Sequence, residues 1–548
     1  MEPGRRREAI AFAAIWGLFA ALVLRFWWLC DDAFISFRYA RNWAAGLGLR
    51  YNPGSDPPVE GYSNFLWTAV CSLIERLGLE VTFWAPAISF VCGSLLLYLV
   101  FRALRRRFEL ALAPAVLATA ALGCAPPYFI WSTSGLETLP FALLVFVTFE
   151  RLLLRRDGPA PVAAGLAGLA TALMRTEGIA WPVLFGMLAV GQTLRFRKNR
   201  LTNWRPLLRY AGVVGIGFAI YFGCRYAYFG QLLANTAYVK MGLTAATLAR
   251  GLCYVAAFFV TLVTPIVILP GCVVGLTRRW SEAGYPVLAV CLASLGYAVA
   301  TGGDFMTMWR FLVPGFVVFA TLPLGWVLQT LWDRPARGRP VSVALGLAVV
   351  LLGLLPAADL HLLPESVRRA THFRSQWEFT SEYARWQRME ANCRAWKRIG
   401  LVLKDRFEPG DSCVLGFIGA VGYYSRLHVL DCGGLVTPEV AKRPASGELN
   451  APGHDRFVPF TYFLKDRPAI LFVARTPQSP RDVLKKIRRF SQSSAVDGYV
   501  VDFLPLPPTD EPSPSRYTVI LRRIPEGIEP AAAWEQVTAR AEALTNER

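Results

Sequence analysis

Residues 9–32 read AIAFAAIWGLFAALVLRFWWLCDD, about twenty mostly apolar residues ending at two adjacent aspartates. A helix rises ~1.5 Å per residue, so this run is long enough to cross the ~30 Å hydrocarbon layer of a bilayer. Arg5, Arg6 and Arg7 precede it. A basic start before an apolar run resembles a signal peptide, but no small-residue cleavage site follows, so the run is expected to be a retained first span. Positive residues stay on the cytoplasmic side of such helices, which places the N-terminus inside and Asp31-Asp32 outside.

The pattern repeats along the 548 residues. Apolar side chains make up 54% and charged ones only 18%, with a mean hydropathy of +0.36, against about a quarter charged in soluble chains. Ten further spans are predicted at 83–101, 110–129, 138–154, 159–175, 178–194, 210–229, 251–276, 284–301, 310–331 and 341–358. The alternate loops 102–109, 151–158, 195–209, 277–283 and 332–340 are all basic, as cytoplasmic loops should be. Much of the net charge of +19 lies in these loops, which excludes a nucleic-acid-binding role as its explanation. Residues 64–79 (NFLWTAVCSLIERLGL) are short and carry Glu75 and Arg76. Counting them as a span would put 102–107 outside, so they are predicted to lie in the interface as an amphipathic helix.

The expected fold is a polytopic α-helical membrane protein of about eleven transmembrane helices over 1–358, with a first outer loop at 31–81. Residues 359–548 follow an odd number of spans and therefore lie outside. Strand-like runs at 413–417, 469–474, 499–504 and 517–521, between helical stretches such as 376–406, predict a C-terminal extracytoplasmic α/β domain. The eleven cysteines show no CxxC pair or metal-ligand spacing, and the spacing of Cys393, Cys413 and Cys432 in the tail indicates no disulfide. Neither a dinucleotide fingerprint nor a phosphate-cradling Gly-rich loop with Lys is present, which removes the support for a nucleotide-driven pump.

Chemistry-bearing residues gather in the outer loops. Asp31 and Asp32 are costly to desolvate side by side at a membrane surface. One suits a general base and the other an orienting or metal-holding group; the competing expectation is a cap for a helix over 33–45. Candidates for substrate contacts are Arg38, Glu60, Tyr62, Asn64, Glu137, Asn235 and Asp304, and the cations Arg175, Lys240 and Arg310 suit an anionic group. Each single charge has the alternative of an interfacial ion pair or a snorkelling side chain. Their collection on one face is what marks a site. His454 follows Pro-Gly in an exported loop and reads as an ordinary solvated histidine.

The blocks DDAFISFRYARNWAAGLGLRYNPG (from Asp31), PVEGYSNFLW (from Pro58), SGLETLPFA (from Ser134), RTEG (from Arg175), NTAYVK (from Asn235), GGDFM with WRFLVP (from Gly302 and Trp309), and the tail's GLVTPEVAKRP and PGHDR run in order from about 31 to 470. Together they resemble the GT-C membrane glycosyltransferases that use polyprenyl-phosphate sugars, and within them the terminal β-arabinofuranosyltransferase-like proteins of bacteria. The chain has Gly434-Leu-Val-Thr437 where such relatives tend to have GLTD, so the tail motif carries no implied role. The resemblance implies a plasma-membrane enzyme, with a polyprenyl-phosphate-linked sugar as donor and a glycan or lipid as acceptor. It implies Asp31 or Asp32 as base, Arg310, Lys240 and Arg175 at the donor phosphate, and a divalent cation (Mg, Mn or Ca) in some members. A transporter or flippase without covalent chemistry, or an envelope assembly factor, is the alternative. Charges at span ends, a first loop of about 50 residues and a folded tail favour the enzyme over mid-membrane charges and broken helices.

Overall fold

A computed structural model describes every residue except 1–2, 155–160, 197–203, 241–243, 263, 278, 375–376, 445–451, 453–455, 475–478, 494–496, 510–515 and 547–548. His454 and part of the basic loops at 151–158 and 195–209 lie outside the described residues. In chain order the membrane part comprises α1 (Pro3–Arg25), α2 (Ala33–Ala44), α3 (Phe65–Arg76), α4 (Val81–Arg106), α5 (Leu112–Gly123), α6 (Pro126–Ile130) and α7 (Thr138–Phe149). There follow α8 (Pro161–Met174), α9 (Ala180–Phe196), α10 (Trp204–Phe229), α11 (Asn235–Lys240), α12 (Ala245–Thr261) and α13 (Ile268–Gly275). The last are α14 (Ser281–Ala300), α15 (Val313–Phe319), α16 (Thr321–Trp332) and α17 (Gly338–Leu354).

Six helical runs among the described residues are long and apolar enough to cross a membrane: Gly4–Arg25, Val81–Arg106, Trp204–Phe229, Ser281–Ala300, Arg310–Trp332 and Gly338–Ala358. The other five predicted spans also fold as helix, but shorter or interrupted. Pro126 and Pro127 open a separate turn after α5, because proline lacks the N–H that would continue the ladder. The span at 138–154 ends in a π-helical turn, Glu150–Leu154. The one at 251–276 is split by a 3₁₀ turn, Thr264–Val267, that contains Pro265. Outward faces stay apolar, with Ile216, Ile220, Leu269, Val273 and Leu351 all exposed, a surface that needs lipid rather than water. The protein is a multi-pass membrane protein.

The first outer loop folds as two helices, α2 and α3, packed on each other. α2 buries Phe34, Phe37 and Tyr39 and stops at Gly46, whose φ of +78° supplies the left-handed residue that ends many helices. α3 is the helix predicted for the interface.

Beyond α17 come α18 (Glu365–Ala370) and the long α19 (Glu382–Arg406), started by Ser381, whose side chain caps Ala384 N–H. α20 (Ala420–Ser425) packs on both α19 and α2, which fastens the tail to the first outer loop. The tail sheet has five strands: β1 (Ser412–Leu415), β2 (His428–Asp431), β3 (Ile470–Ala474), β4 (Tyr499–Pro505) and β5 (Tyr517–Arg523). Their order is β2-β1-β3-β5-β4, with β1 parallel to β2 and β3, and β5 antiparallel to β3 and β4. The sequence patterns predict four of these; β2, only four residues long, they miss. All three tail cysteines are free thiols.

Candidate active site

The predicted outer loops are stitched to one another by backbone hydrogen bonds. Cys30 N–H donates to Ser134 (2.9 Å), Thr176 N–H to Ser63 (2.8 Å) and Asn235 N–H to Glu60 (3.0 Å). Gly135, at φ +81° in the second outer loop, lets that loop close on the start of α2; a Cβ there would lie 2.9 Å from Ala33 Cβ. These loops enclose a cavity of about 540 Å³ with the start of α2 on one side and the tail on the other.

Seven of the predicted site residues line it: Asp31, Asp32, Tyr62, Asn64, Glu137, Arg175 and Arg310. Asn64 donates to Glu137 Oε2 (2.7 Å) and accepts from Ser36 (2.9 Å), and Glu137 forms an ion pair with Arg175. Arg310 pairs with Asp304 (2.8 Å), which stands behind it rather than on the cavity wall. Tyr62 is 3% exposed and its hydroxyl has no partner among the described residues, an uncommon state for a buried donor beside a cavity.

The two aspartates differ. Asp31 Oδ1 accepts the N–H of Ala420 (2.7 Å) at the start of α20. Burial pushes its carboxyl up from 3.8 to about 7; backbone N–H groups of Ala420 and Gly419 pull it down and the Asp32 charge pushes it further up. Asp32 sits at the N-cap position of α2 but makes no side-chain capping bond, so the capping role expected as the alternative is not used. The electrostatic partner it shares with the cavity is Arg310. Gly419 is needed where it stands, because a Cβ would meet the Asp31 carbonyl oxygen and lie 2.5 Å from its carboxylate carbon. Gly419→Ala should therefore displace Asp31 or the tail and cost ~1–3 kcal/mol, read as a lowered thermal transition of the solubilised protein. An unchanged transition would mean that the tail does not close on Asp31.

Four predicted contact residues do not face the cavity, and for Lys240 the side chain lies outside the described residues. Arg38 is enclosed instead. Its guanidinium donates to the carbonyls of Tyr51 (2.8 Å), Gly422 (2.6 Å) and Leu427 (2.6 Å) and to Asn52 (3.2 Å), so it pins the first loop to the tail. Glu60 is consumed by Arg225 (2.8 Å). Asn235 donates to the carbonyls of Gly434 (2.6 Å) and Leu435 (2.9 Å), holding a tail loop that does line the cavity. Asp304 serves Arg310, as above. All four are satisfied by the protein, because a buried polar group without a partner is costly.

The tail wall is what sequence reasoning missed. Trp377, Glu378, Arg385, Arg388, Asn392, Trp396, Phe417 and Asp431 all line the cavity. Asp431 is spent on a turn, accepting N–H bonds from Gly433 (2.7 Å) and Val436 (3.2 Å). Glu382 clamps the loop that aims Arg310: it accepts from Thr307 Oγ1 (2.9 Å) and Met308 N–H (2.8 Å) and pairs with Arg374 (2.8 Å). Met308 and Trp309 have φ of +53° and +48°, uncommon for non-glycine residues and sustained only by surroundings that over-determine them.

A second, mostly apolar groove of about 170 Å³ adjoins the cavity between α7, α9, α14 and α15. Trp181, Leu184, Phe141 and Phe311 line it, and it shares Arg175 and Arg310 with the main cavity. Thr138 lies on its wall with a buried hydroxyl that has no partner among the described residues. The groove ends at these two guanidiniums and at the Glu177 carboxylate, which pairs with Arg175; apolar walls leading to guanidiniums suit an amphiphile with an anionic head.

No curated protein matches this chain. Residues 378–538 match the family described as Domain of unknown function (DUF8728). Among solved structures, ArnT from Cupriavidus metallidurans bound to undecaprenyl phosphate is similar at a TM-score of 0.52 and 16% identity, covering 94% of this chain and 97% of that one. The mycobacterial arabinofuranosyltransferase AftD aligns at a TM-score of 0.46 and 15% identity over 95% of this chain and 40% of its own. With ArnT matched over nearly the whole length of both chains, this chain has the GT-C fold of polytopic membrane proteins.

Proposed function

We propose that this protein is an inverting glycosyltransferase that moves a sugar from a polyprenyl-phosphate donor to an extracytoplasmic glycan or other cell-envelope acceptor. The observation that carries this reading is one cavity in which Asp31 and Asp32 face Arg310 and Arg175 where an apolar groove opens. The basic loops on the far side of the spans support an outward-facing cavity in the plasma membrane. The structural likeness to a protein bound to undecaprenyl phosphate supports the donor class, and the resemblance to arabinofuranosyltransferases supports arabinofuranose among the sugars.

In this scheme the lipid lies in the groove and its phosphate meets Arg310 and Arg175. An acceptor hydroxyl attacks the anomeric carbon from the Asp31 side. Asp31 takes the hydroxyl proton as the new C–O bond forms. The bond from the anomeric carbon to the phosphate oxygen breaks, its electron pair leaving with the lipid phosphate, whose growing charge the guanidiniums stabilise. Asp32, beside Arg310, orients this anionic half of the site. No group of three or more metal-ligating side chains occurs among the described residues. A divalent cation, where one binds, would be held by Asp32 beside the donor phosphate and would neutralise charge there, leaving Asp31 as the base.

The test is purified protein in lipid nanodiscs with a panel of polyprenyl-phosphate sugars. Release of polyprenyl phosphate together with a glycosylated acceptor is expected. Arg310→Met should reduce it by ~10²-fold or more. Movement of intact donor across a vesicle membrane without its cleavage would favour the transporter instead.

A further inference from the structure

One stripe of α19 lines the cavity: Arg385, Arg388, Met389, Asn392 and Trp396. Their spacing places them on a single helical face, and the eleven steps from Arg385 to Trp396 cover ~16 Å. The stripe begins beside the Arg310 loop, where Arg385 Nε donates to the Phe305 carbonyl (2.9 Å). It ends where the Trp396 ring stacks on Phe417, centroids 4.6 Å apart and planes at 21°. Phe417 is 51% exposed, so this aromatic pair keeps a free surface. The apolar groove touches none of these residues, which separates the stripe from the path assigned to the lipid.

Its charge is unbalanced. Arg385 is buried, and the nearby Glu382 is paired with Arg374. Among the described residues no carboxylate lies within ion-pair distance of Arg385 or Arg388, Glu378 on the same wall included. The face of Trp377, 4.2 Å from the Arg385 guanidinium, compensates in part. Burial and the neighbouring Arg374 charge hold Arg385 below the usual guanidinium range, yet a guanidinium keeps its proton. The nearest carboxylate, Glu382, is shared with Arg374, so a buried cation here gains from an anionic group that arrives to meet it.

We propose that this stripe is the acceptor subsite and that the acceptor is an acidic saccharide. Its carboxylate or phosphate group sits against Arg385 and Arg388, its hydroxyls reach Asn392, and a sugar ring lies on the Trp396–Phe417 pair. The assignment rests on the glycosyl-transfer reading above and names the substrate class of that site.

The full-length protein in nanodiscs is titrated at low salt with trigalacturonate, with a phosphorylated trisaccharide and with neutral galactotriose, and separately with undecaprenyl phosphate. At least one acidic probe should bind ~10-fold or more tightly than the neutral one. Arg388→Gln, a change at an exposed position, should erase most of that preference while the undecaprenyl phosphate affinity stays. Phe417→Ser should weaken acidic and neutral probes alike. Equal affinity for acidic and neutral probes, or binding of neither, overturns the proposal. So does an Arg388→Gln variant that loses undecaprenyl phosphate and keeps the acidic saccharide. Failure of the transfer reading shows differently: the wild-type protein would neither bind undecaprenyl phosphate nor release it from a donor, whatever the saccharides do.

Discussion

Asp31→Asn should lower sugar transfer by ~10²–10⁴-fold, the range of a positioned general base, while undecaprenyl phosphate binding stays near wild type. The amide oxygen can still accept the Ala420 N–H that holds Asp31, so the geometry survives and the base alone is lost. With its carboxyl at about 7, wild-type kcat/KM should rise as pH increases through that value, because only the ionised form takes the proton. The Asn variant should lack this limb. Stability moves the other way. A carboxyl raised from 3.8 to about 7 in the folded state weakens the fold as pH climbs between those values, and Asp31→Asn removes that loss. A variant slower but otherwise more tolerant of neutral pH is the pairing to look for. Asp32→Asn, acting through Arg310, should instead raise KM for the donor.

Glu382→Ala should be the most destabilising single change in the tail, by ~3–5 kcal/mol, since it leaves the buried Arg374 without its counter-charge. It also releases Thr307 and Met308, so the left-handed pair before Arg310 loses its support and donor binding should weaken together with the fold. The tail's Cys393, Cys413 and Cys432 are free and buried, so a thiol-reactive dye reports unfolding of the tail once the exposed Cys224 is replaced by Ser. Glu365→Ala is the control: its pair with Arg369 is an exposed i,i+4 contact, and such solvent-screened pairs contribute little to stability. Although burial opposes it, Arg374 holds the Glu382 carboxyl below its ordinary 4.5. Its stabilisation is thus complete above that pH and disappears as pH falls through the lower folded value. If Glu382→Ala melts with the control, the clamp contributes nothing.

The spans were legible because lipid imposes a rule that water does not: every backbone polar group is satisfied within a helix, and arginines mark the cytoplasmic ends. The convergence of Asp31, Asn64, Glu137, Arg175 and Arg310 was legible as an accumulation of polar residues on one face. Which charge looks into the cavity was not. Arg38 and Arg310 both lie near a span end beside an aromatic, yet one holds backbone carbonyls and the other lines the site; only tertiary contacts separate them. The α19 stripe was hidden for another reason. Arg385, Arg388, Asn392 and Trp396 have the periodicity of any solvated helix face, and the wall opposite them is built by loops hundreds of residues earlier in the chain.

The measurement that bears most directly on the account is the anomeric configuration of the product. Purified protein is supplied with a polyprenyl-phosphate sugar of known anomer and an acceptor, and the new linkage is assigned by NMR. A single displacement, with Asp31 as base and the lipid phosphate as leaving group, predicts an inverted linkage and stoichiometric release of polyprenyl phosphate. A retained linkage would require a covalent sugar–enzyme intermediate and would contradict the role given to Asp31.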